Sequence, residues 1–478
     1  MEKAGKLWEL GAGALNPKVE AFLSSLAVDK RFMEVDLEGS AAHASMLGKT
    51  GIIKRDMADS LVYAILEMLE EARAGKLEVD DGCEDIHSFV EQELTRRLGA
   101  AGRAVHSGRS RNDQVALDMR LYLRKAFSDA QHGILVIIDS LCDLAAKHTE
   151  SIMPSYTHLR RAQPSTLAFH LLAWCAALER DYGRFKDASI RANECPLGSA
   201  AVAGSGLPLD REAVALSLGF ARPSRNAMDA TADRDACTEY AAAASIFMMH
   251  LSRYCEELIL WSSSEFDFME IADDCSTGSS IMPQKRNPDV AELARGKSGR
   301  VFGALMELLT IQKGLPLAYN RDLQADKEAV FGIHDTLKSL FPAFAALVEG
   351  LKPKTANMAK ALESGFAEAT DLAELLTGLG LPFRDSYAAV KKAVAIADSK
   401  KLRLKELNNA DLAEASPFFE EFGIDAAKLG TWLEPQACVS RRNHVGGPAP
   451  ERVKEEIDRL KAFVKACRME YIVPGRLL

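Results

Sequence analysis

The sequence predicts an all-α protein built around an elongated bundle of long helices. Its seventeen prolines are unevenly spaced, with none between Pro17 and Pro154 or between Pro223 and Pro283. Because proline breaks or kinks the interior of a helix, such stretches permit long helices. Within the first stretch, apolar residues recur at the spacing of a helix buried along one stripe. They are Ile134, Ile137, Ile138, Leu141, Leu144 and Ala145.

Four long helices are predicted, at 112–148, 165–194, 233–262 and 289–313. The first would be about 55 Å long at 1.5 Å per residue. Helices of this length need partners, and an alanine-rich stretch such as Ala241–Ala244 permits close approach between them. An extended isolated coiled coil is the alternative, but the charge pattern of sustained heptads is missing.

Glycines and prolines divide the chain into three predicted segments. Residues 1–112 read as shorter helices separated by glycines, and form a predicted N-terminal helical domain. Residues 113–352 form the predicted central long-helix bundle. Prolines then divide residues 353–478 into short helices of a predicted C-terminal domain.

Composition excludes several classes of protein. The chain has 478 residues, 47% of them hydrophobic and 27% charged, as is typical of folded globular proteins. The formal net charge of −9 offers no basic surface for nucleic acid. The nine cysteines include no CxxC pair, so reduced, buried thiols are expected. No apolar run approaches the length of a membrane span, and the start of the chain lacks a signal-like segment, so a cytoplasmic location is expected.

A first polar loop, His106–Gln114, precedes the longest predicted helix. It carries several groups that together could bind a carboxylate or phosphate at the helix start. They are Ser107, Arg109, Ser110, Arg111 and Asn112, with Asn112 and Asp113 as a pair of capping residues. The alternative is an ordinary capped helix start with solvated arginines.

A second loop, Tyr156–Pro164, contains Thr157 and His158, and Pro164 suits the first turn of the next helix. A histidine in such a connector can titrate near neutral pH, which makes His158 a candidate proton donor. The alternative is that His158 is a structural or surface residue, as most single histidines are.

A third loop, Asp273–Asp289, combines flexibility at Gly278 with the adjacent hydroxyls of Ser279 and Ser280, the cation Lys285 and the amide of Asn287. Long polar loops between long helices commonly carry function and can close over a ligand. A simple linker would not need the apolar residues that follow Ser280, which suggest docking. They are Ile281, Met282 and Pro283.

The first and second loops lie at opposite ends of one helix about 55 Å long, so they cannot meet within one chain. If both serve a single site, that site must be assembled between the subunits of a symmetric oligomer.

The three loops resemble known motifs. The segment GSSIMPQKRNPD, at 278–289, resembles the GSSxMPxKxN loop of the fumarase/aspartase superfamily, whose members release fumarate by β-elimination. Within it, the chain resembles the argininosuccinate lyase family in HSGRSRNDQVALDMRLYLR, YTHLRRAQP and KGLPLAYNRDLQADK. Shorter similarities continue through EDIH at 84–87, DRD at 233–235, HLSR at 250–253, GLPFR at 380–384 and GGPAP at 446–450.

The resemblance implies a homotetramer with a twenty-helix core, whose active sites draw on three subunits and cleave argininosuccinate to arginine and fumarate. It implies Ser279, more than Ser280, as the general base and His158 as the general acid, polarised by Glu292. Lys285 and Asn287 would stabilise the aci-carboxylate intermediate. The implied substrate contacts are Ser25, Ser107, Arg111, Asn112, Thr157, Asn287, Tyr319, Arg321, Gln324 and Lys327. No metal or organic cofactor is expected, because a carboxylate is the electron sink.

Three departures from the family pattern stand out. LWELGAG at 7–13 replaces the usual WGGRF, Arg160 stands where a glutamine is usual, and Ser386-Tyr387 replaces a common Ala-His. Two other functions remain open. One is a different fumarate-releasing lyase similar to adenylosuccinate lyase, although the RSRNDQ and GLPLAYNRDLQ motifs argue against it. The other is a non-catalytic, crystallin-like protein, against which the presence of both Ser279 and His158 argues.

Overall fold

The computed structural model describes residues 16–470, so the LWELGAG segment lies outside the described residues. Helices dominate this part of the chain, which confirms the all-α prediction. The first five helices are α1 (Pro17–Leu23), α2 (Leu26–Asp29), α3 (Met33–Lys49), α4 (Arg55–Arg73) and α5 (Ile86–Leu98).

The central segment contains the long helices that the sequence predicts. Its helices are α6 (Arg111–Ala146), α7 (Leu167–Arg191), α8 (Arg211–Ser217), α9 (Ala227–Ala232), α10 (Asp235–Ser262), α11 (Asp289–Gln312) and α12 (Asp326–Glu349). The third segment consists of α13 (Thr355–Lys360), α14 (Ala369–Gly378), α15 (Phe383–Lys400), α16 (Asn409–Ala415), α17 (Phe418–Glu421), α18 (Ala426–Trp432), α19 (Pro435–Arg441) and α20 (Pro450–Glu470).

Short strands pair two by two beside the helices. They are β1 (Ile152–Thr157) with β2 (Arg160–Thr166), β3 (Glu194–Cys195) with β4 (Arg222–Pro223), β5 (Met269–Ile271) with β8 (Leu351–Pro353), and β6 (Thr277–Gly278) with β7 (Arg286–Asn287). All pairs are antiparallel except β3 with β4. Two of these pairs shape the second and third loops.

Helix α6 is the axis of the bundle. It has 36 residues and is therefore about 54 Å long. Its predicted apolar stripe is buried, with Ile134, Ile137, Ile138 and Leu141 all 0% exposed. Helices α7 and α12 pack along α6, while α10 packs against α7 and α11. A single apolar core therefore runs through the long helices.

Helix α12 continues through Pro342, contrary to the expectation that proline ends a helix. The ring of the preceding residue, Phe341, lies where α12 crosses α6. A Cβ added at Gly133 of α6 would approach that ring to 2.2 Å. Burial of Phe341 and Phe344 in the bundle core compensates for the hydrogen bond that Pro342 cannot donate.

The third segment has its own apolar core, formed by residues between Leu372 and Leu433. The last helix, α20, instead packs against α6, where Lys461 pairs with Asp139 at 2.6 Å. Its contacts therefore cross the predicted boundary at residue 352, and the division into three domains stays a prediction. Between residues 16 and 470 we find no helix that combines the length and apolarity needed to cross a membrane.

Candidate active site

The first polar loop ends in a capped helix start, but the capping residue differs from the prediction. Ser110 is the N-cap of α6, and its hydroxyl accepts from the Asn112 amide at 3.3 Å. Asp113 completes a capping box by accepting from the Ser110 amide at 2.9 Å. Asn112 was expected to cap, but its side chain instead donates to the Ala201 carbonyl at 3.0 Å, beside the start of α6.

A cavity of about 150 Å³ opens beside this helix start. Seven of the residues predicted to contact substrate line it, although they come from three distant parts of the chain. They are Ser25, Arg111, Asn112, Tyr319, Arg321, Gln324 and Lys327. Sequence positions separated by about 300 residues therefore converge on one cavity.

Every cation of this cavity faces a carboxylate. Lys327 forms an ion pair with Asp29, and each side chain is only 1% exposed. Arg111 lies 3.0 Å from Asp85. The remaining pair is Arg321 with Glu84, at 2.9 Å. The cavity thus has nearly balanced charge and is rich in both donors and acceptors, as a site for a zwitterionic ligand requires.

Ser107, also predicted to contact substrate, does not line the cavity. Its carbonyl accepts a hydrogen bond of 2.9 Å from Nε2 of His43 on α3. His43 is 1% exposed, and burial, with the nearby charge of Arg109, lowers its pKa to about 3. A neutral imidazole therefore anchors the first loop to α3.

The second loop is a β-hairpin rather than a connector that leads into a helix. Pro164, expected in the first turn of α7, lies in β2 opposite Pro154 of β1. Helix α7 begins at Leu167, where the Thr166 hydroxyl accepts from the Phe169 amide at 3.1 Å. Prolines fit here because a two-stranded ladder has only edge strands.

The tip of this hairpin carries Thr157 and His158, both exposed. His158 and Leu159 adopt left-handed backbone conformations, each with φ of 55°. This tight turn projects both predicted functional side chains away from the body of their own chain. Arg160, which replaces the usual glutamine, follows in β2 and is also exposed.

The third loop is held closed at its base by pairing of Gly278 with Arg286 and of Thr277 with Asn287. Ser279 and Lys285 each lie one residue beyond this ladder, so the pairing brings them to the same end of the loop. The Ser279 hydroxyl accepts from two backbone amides, those of Ile281 at 3.2 Å and Met282 at 3.0 Å.

The remaining residues of this loop lie towards α11. Lys285 is exposed, Asn287 is half-buried in β7, and Glu292 is exposed in the first turn of α11. Ile281, expected to dock the loop, is 87% exposed in the single chain. That expectation is therefore not met within one protomer.

Within one chain these groups occupy different ends of the bundle. The cavity lies at the start of α6, whereas the hairpin with His158 follows the end of the same helix. The segment before the third loop meets the hairpin, where the rings of Tyr156 and Phe266 are 5.7 Å apart. The structure therefore assembles the cavity within one chain but leaves His158 far from it.

Comparisons with known proteins decide the family. Residues 12–303 match the family described as lyase, and residues 366–440 match the argininosuccinate lyase C-terminal family. A protein named argininosuccinate lyase from Desulforamulus reducens is 48% identical over 447 residues, covering 94% of this chain and 96% of the relative. Its namesake from Pelotomaculum thermopropionicum is 48% identical over 443 residues, covering 93% and 95%.

The chain belongs to the argininosuccinate lyase family. This confirms the resemblance inferred from the three loops, and the chain is an enzyme of the carbon–nitrogen lyase class.

Solved structures agree with this family in fold. An EDDS lyase in complex with formate superimposes with a TM-score of 0.81 at 27% identity, covering 96% of this chain and 92% of that chain. A class II fumarase from Schistosoma mansoni has a TM-score of 0.71 at 17% identity, covering 86% and 90%. The second similarity concerns the fold alone.

Sequence reasoning missed five residues that line the cavity. They are Asp29, Glu84, Asp85, His87 and Val115. Three of them belong to EDIH, a family motif to which no role had been assigned. Asp85 is also the N-cap of α5, accepting from the Ser88 amide at 2.7 Å. In the sequence, a carboxylate at a helix start is explained by capping alone. Only the folded structure shows that Asp85 also lines the cavity and pairs with Arg111.

Proposed function

We propose that this chain cleaves argininosuccinate to arginine and fumarate by reversible β-elimination. A base removes a proton from the succinyl Cβ, the C–N bond breaks, and an acid protonates the departing guanidino nitrogen. The family, the relatives over most of the chain and the cavity of predicted contacts support this function. The observation that carries it most strongly is the environment of Ser279.

Ser279 is the proposed base. A serine hydroxyl is too weak a base unless its anion is stabilised. Two backbone amides already point at its oxygen, at 3.2 and 3.0 Å, and the loop ladder places Lys285 at the same end of the loop. These donors would stabilise an alkoxide, and closure of the loop over substrate would strengthen them by excluding water.

His158 is the proposed acid. Its exposed position on the hairpin tip lets it reach a site outside its own chain. Glu292, exposed at the start of α11, is proposed to polarise its ring. Lys285 and Asn287 would bind the carboxylate that becomes the aci-carboxylate after deprotonation. Thr157 would contribute a further hydrogen bond to substrate.

The cavity is proposed to hold the substrate through the seven residues named above, with Ser107 supporting the loop beside them. Carboxylates and cations are paired around it, which suits the carboxylates and the guanidino group of argininosuccinate. We propose no metal or cofactor in this reaction, because the substrate carboxylate itself accepts the charge. The buried free thiols support a reducing compartment, the cytoplasm, as the location.

A homotetramer with shared sites is part of the proposal. One face of α11 presents apolar side chains to the exterior, with Phe302 42%, Met306 63% and Leu309 46% exposed. Along the adjoining side of this helix, a Cβ added at Gly296, Gly299 or Gly303 would meet nothing within 4 Å. Such an open apolar face on a central helix favours a second copy of the bundle. Assembly would also bring a hairpin and a third loop of other chains to each cavity.

One assay tests the proposed function against both alternatives. The purified full chain is incubated separately with argininosuccinate, adenylosuccinate, malate and aspartate, and fumarate is measured in each reaction. With malate, fumarate formation reports fumarase activity. We expect fumarate at an enzymatic rate from argininosuccinate alone. Comparable turnover of adenylosuccinate would favour the other lyase, and no turnover of any substrate would favour a crystallin-like role.

A further inference from the structure

Two buried aspartates lie beneath the cavity without an ordinary ionic partner. Asp36 of α3 and Asp118 of α6 are 1% and 0% exposed. One carboxyl oxygen of each aspartate and one ring nitrogen of His87 lie within 4.8 Å of one another. Among the described residues, neither oxygen of Asp118 nor Oδ2 of Asp36 has a donor from any other group. Two buried carboxyl groups this close together, with no donor to these oxygens, are not both ionised, so one of them carries a proton.

The local charges agree with one shared proton. The three carboxylates of the cavity already have their own cations, as described above. In the part of the chain that the structure describes, the guanidinium nearest to the aspartate pair is Arg109, which is 8% exposed and donates to the Ser40 hydroxyl at 2.9 Å. One proton and one guanidinium therefore neutralise the pair. A metal cation in place of the proton would face that guanidinium and be repelled.

His87 connects the aspartate pair to the cavity. Its Nδ1 lies 2.8 Å from Oδ1 of Asp36 and 3.6 Å from Oδ2 of Asp118. The Asp36 Oδ1 also accepts from the Gln114 amide, so this oxygen is an acceptor and Nδ1 of His87 donates to it. The ring lines the cavity, and its Nε2 has no partner among residues 16–470.

The pKa of Asp118 is raised and that of Asp36 is lowered, as expected if the two carboxyl groups hold one proton between them. Burial, together with the neighbouring Asp36, raises the pKa of Asp118 well above its ordinary value. Burial also acts on Asp36, but the hydrogen bonds from His87 and Gln114 and the charge of Arg109 lower the pKa of Asp36. These directions favour the proton on Asp118 and the negative charge on Asp36.

We propose that Asp36 and Asp118 share one buried proton and thereby hold His87 as the Nδ1–H tautomer, with the Nε2 lone pair presented to an N–H donor of the substrate. When Asp118 carries the proton, the negative charge of Asp36 balances the positive charge of Arg109. The cluster is then electrically neutral if the His87 imidazole is neutral. This inference rests on the proposed function. The two carboxylates of the succinyl part of argininosuccinate can only accept, whereas its N–H donors lie on the arginine part.

His87 is thus a binding residue for the arginine half of the substrate, and Asp36 and Asp118 are positioning residues that act through it. Binding of the arginine half of the substrate therefore depends on the buried aspartate pair, whereas binding of the succinyl half does not. The reaction in reverse, from arginine and fumarate, separates the two halves experimentally.

Substitutions at Asp118 provide the first test. Asp118→Leu removes the donor to Asp36, whereas the amide in Asp118→Asn can still donate as the protonated carboxyl does. We expect Asp118→Leu to raise the KM for arginine about tenfold while the KM for fumarate stays within about twofold. Asp118→Asn should restore the arginine KM to within about threefold of the unsubstituted protein. Equal damage by both substitutions would mean that Asp118 is ionised, and would overturn the proposal.

His87→Asn provides a second test if Asp118→Leu fails to fold. Asparagine keeps a donor towards Asp36 but lacks an atom at the position of Nε2. We expect the same selective rise in the arginine KM, and an equal rise in the fumarate KM would contradict the proposal.

Infrared spectroscopy tests the shared proton without any turnover. The C=O band of a buried protonated carboxyl should be present in the full-length protein at neutral pH and absent from Asp118→Asn. Its absence from the unsubstituted protein would overturn the proposal. If the unsubstituted protein released no fumarate from argininosuccinate, the proposed function would fail, while the infrared result would still decide whether the aspartates share a proton.

Discussion

The ammonium group of Lys327 and the carboxylate of Asp29 form an ion pair buried at the wall of the cavity, with each side chain 1% exposed. The two residues are 298 positions apart in sequence, so the pair joins α2 to the start of α12. Asp29 also accepts a hydrogen bond from the Ser25 hydroxyl. The pair therefore contributes to the fold and lines the candidate site.

Breaking this pair should destabilise the protein strongly. Lys327→Met leaves the Asp29 carboxylate buried without a cation, which should lower the free energy of unfolding by about 3–5 kcal/mol. The double variant Asp29→Asn/Lys327→Met removes both charges and should recover most of that stability but not activity. Thermal denaturation and fumarate release measure the two effects. A double variant as unstable as the single one would show that the loss does not arise from an unpaired charge.

Shared active sites should allow inactive variants to complement one another. His158→Asn and Ser279→Ala should each reduce turnover about 10²–10⁴-fold, because each removes a proposed proton-transfer group. If those groups reach a site from different chains, mixed oligomers of the two variants regain partial activity. His158→Asn mixed with Asn112→Ala is the geometrically stronger pair, since these residues lie at opposite ends of α6.

A matched control for complementation comes from the cavity itself. Asn112 and Gln324 line the same cavity of one chain. Every site of a mixed Asn112→Ala and Gln324→Ala oligomer would therefore contain one defect, and no recovery is expected. Recovery in this control, or none with His158→Asn and Asn112→Ala in verified mixed oligomers, would refute the proposed sharing.

The exposed face of α11 should be required for assembly. Met306→Glu places a charge among the apolar side chains of that face, and should dissociate the oligomer and abolish fumarate release because the sites become incomplete. Light scattering and the fumarate assay measure both outcomes. Leu216→Glu, at a position 78% exposed on α8, serves as a matched control. A fully active monomer would rule out both the interface and the shared site.

Mild acid should destabilise the first loop through His43. The pKa of His43 falls from 6.5 to about 3 in the folded chain. The unfolded chain therefore binds a proton below pH 6.5 that the folded chain excludes, and stability present at neutral pH is lost as the pH falls. The loss is about 1.4 kcal/mol per pH unit for this residue.

His43→Gln separates this effect from other titrations. The glutamine amide can still donate to the Ser107 carbonyl but does not titrate. Between pH 7 and pH 5, the Tm of the variant should therefore fall less than that of the unsubstituted protein. Parallel dependence of Tm on pH in the two proteins would mean that His43 does not exclude the proton in the folded chain.

The long helices could be predicted because their signals are local. The apolar spacing from Ile134 to Leu141 and the absence of prolines concern neighbouring residues of one helix. The position of Pro164 was predicted wrongly for the opposite reason, because Pro164 lies in a strand, where it pairs opposite Pro154. Pro342 is tolerated inside α12 because the bundle buries the residues around it.

The candidate site was predicted only in part. Motif resemblance identified residues such as Arg111 and Tyr319, which do meet in one cavity. It did not identify the carboxylates that pair with the cations there, because Asp29, Glu84 and Asp85 have ordinary explanations as local polar residues. Their roles depend on cations contributed by other parts of the chain.

Local sequence was sufficient for the all-α fold, the long helices and the three polar loops, because hydrophobic spacing and helix-breaking residues act over a few positions. Tertiary structure was needed to convert the second loop into a hairpin, to gather the cavity residues from distant parts of the chain and to bury Asp36 beside Asp118. These outcomes depend on distances through space and on the removal of water around charges, and no run of neighbouring residues encodes either one.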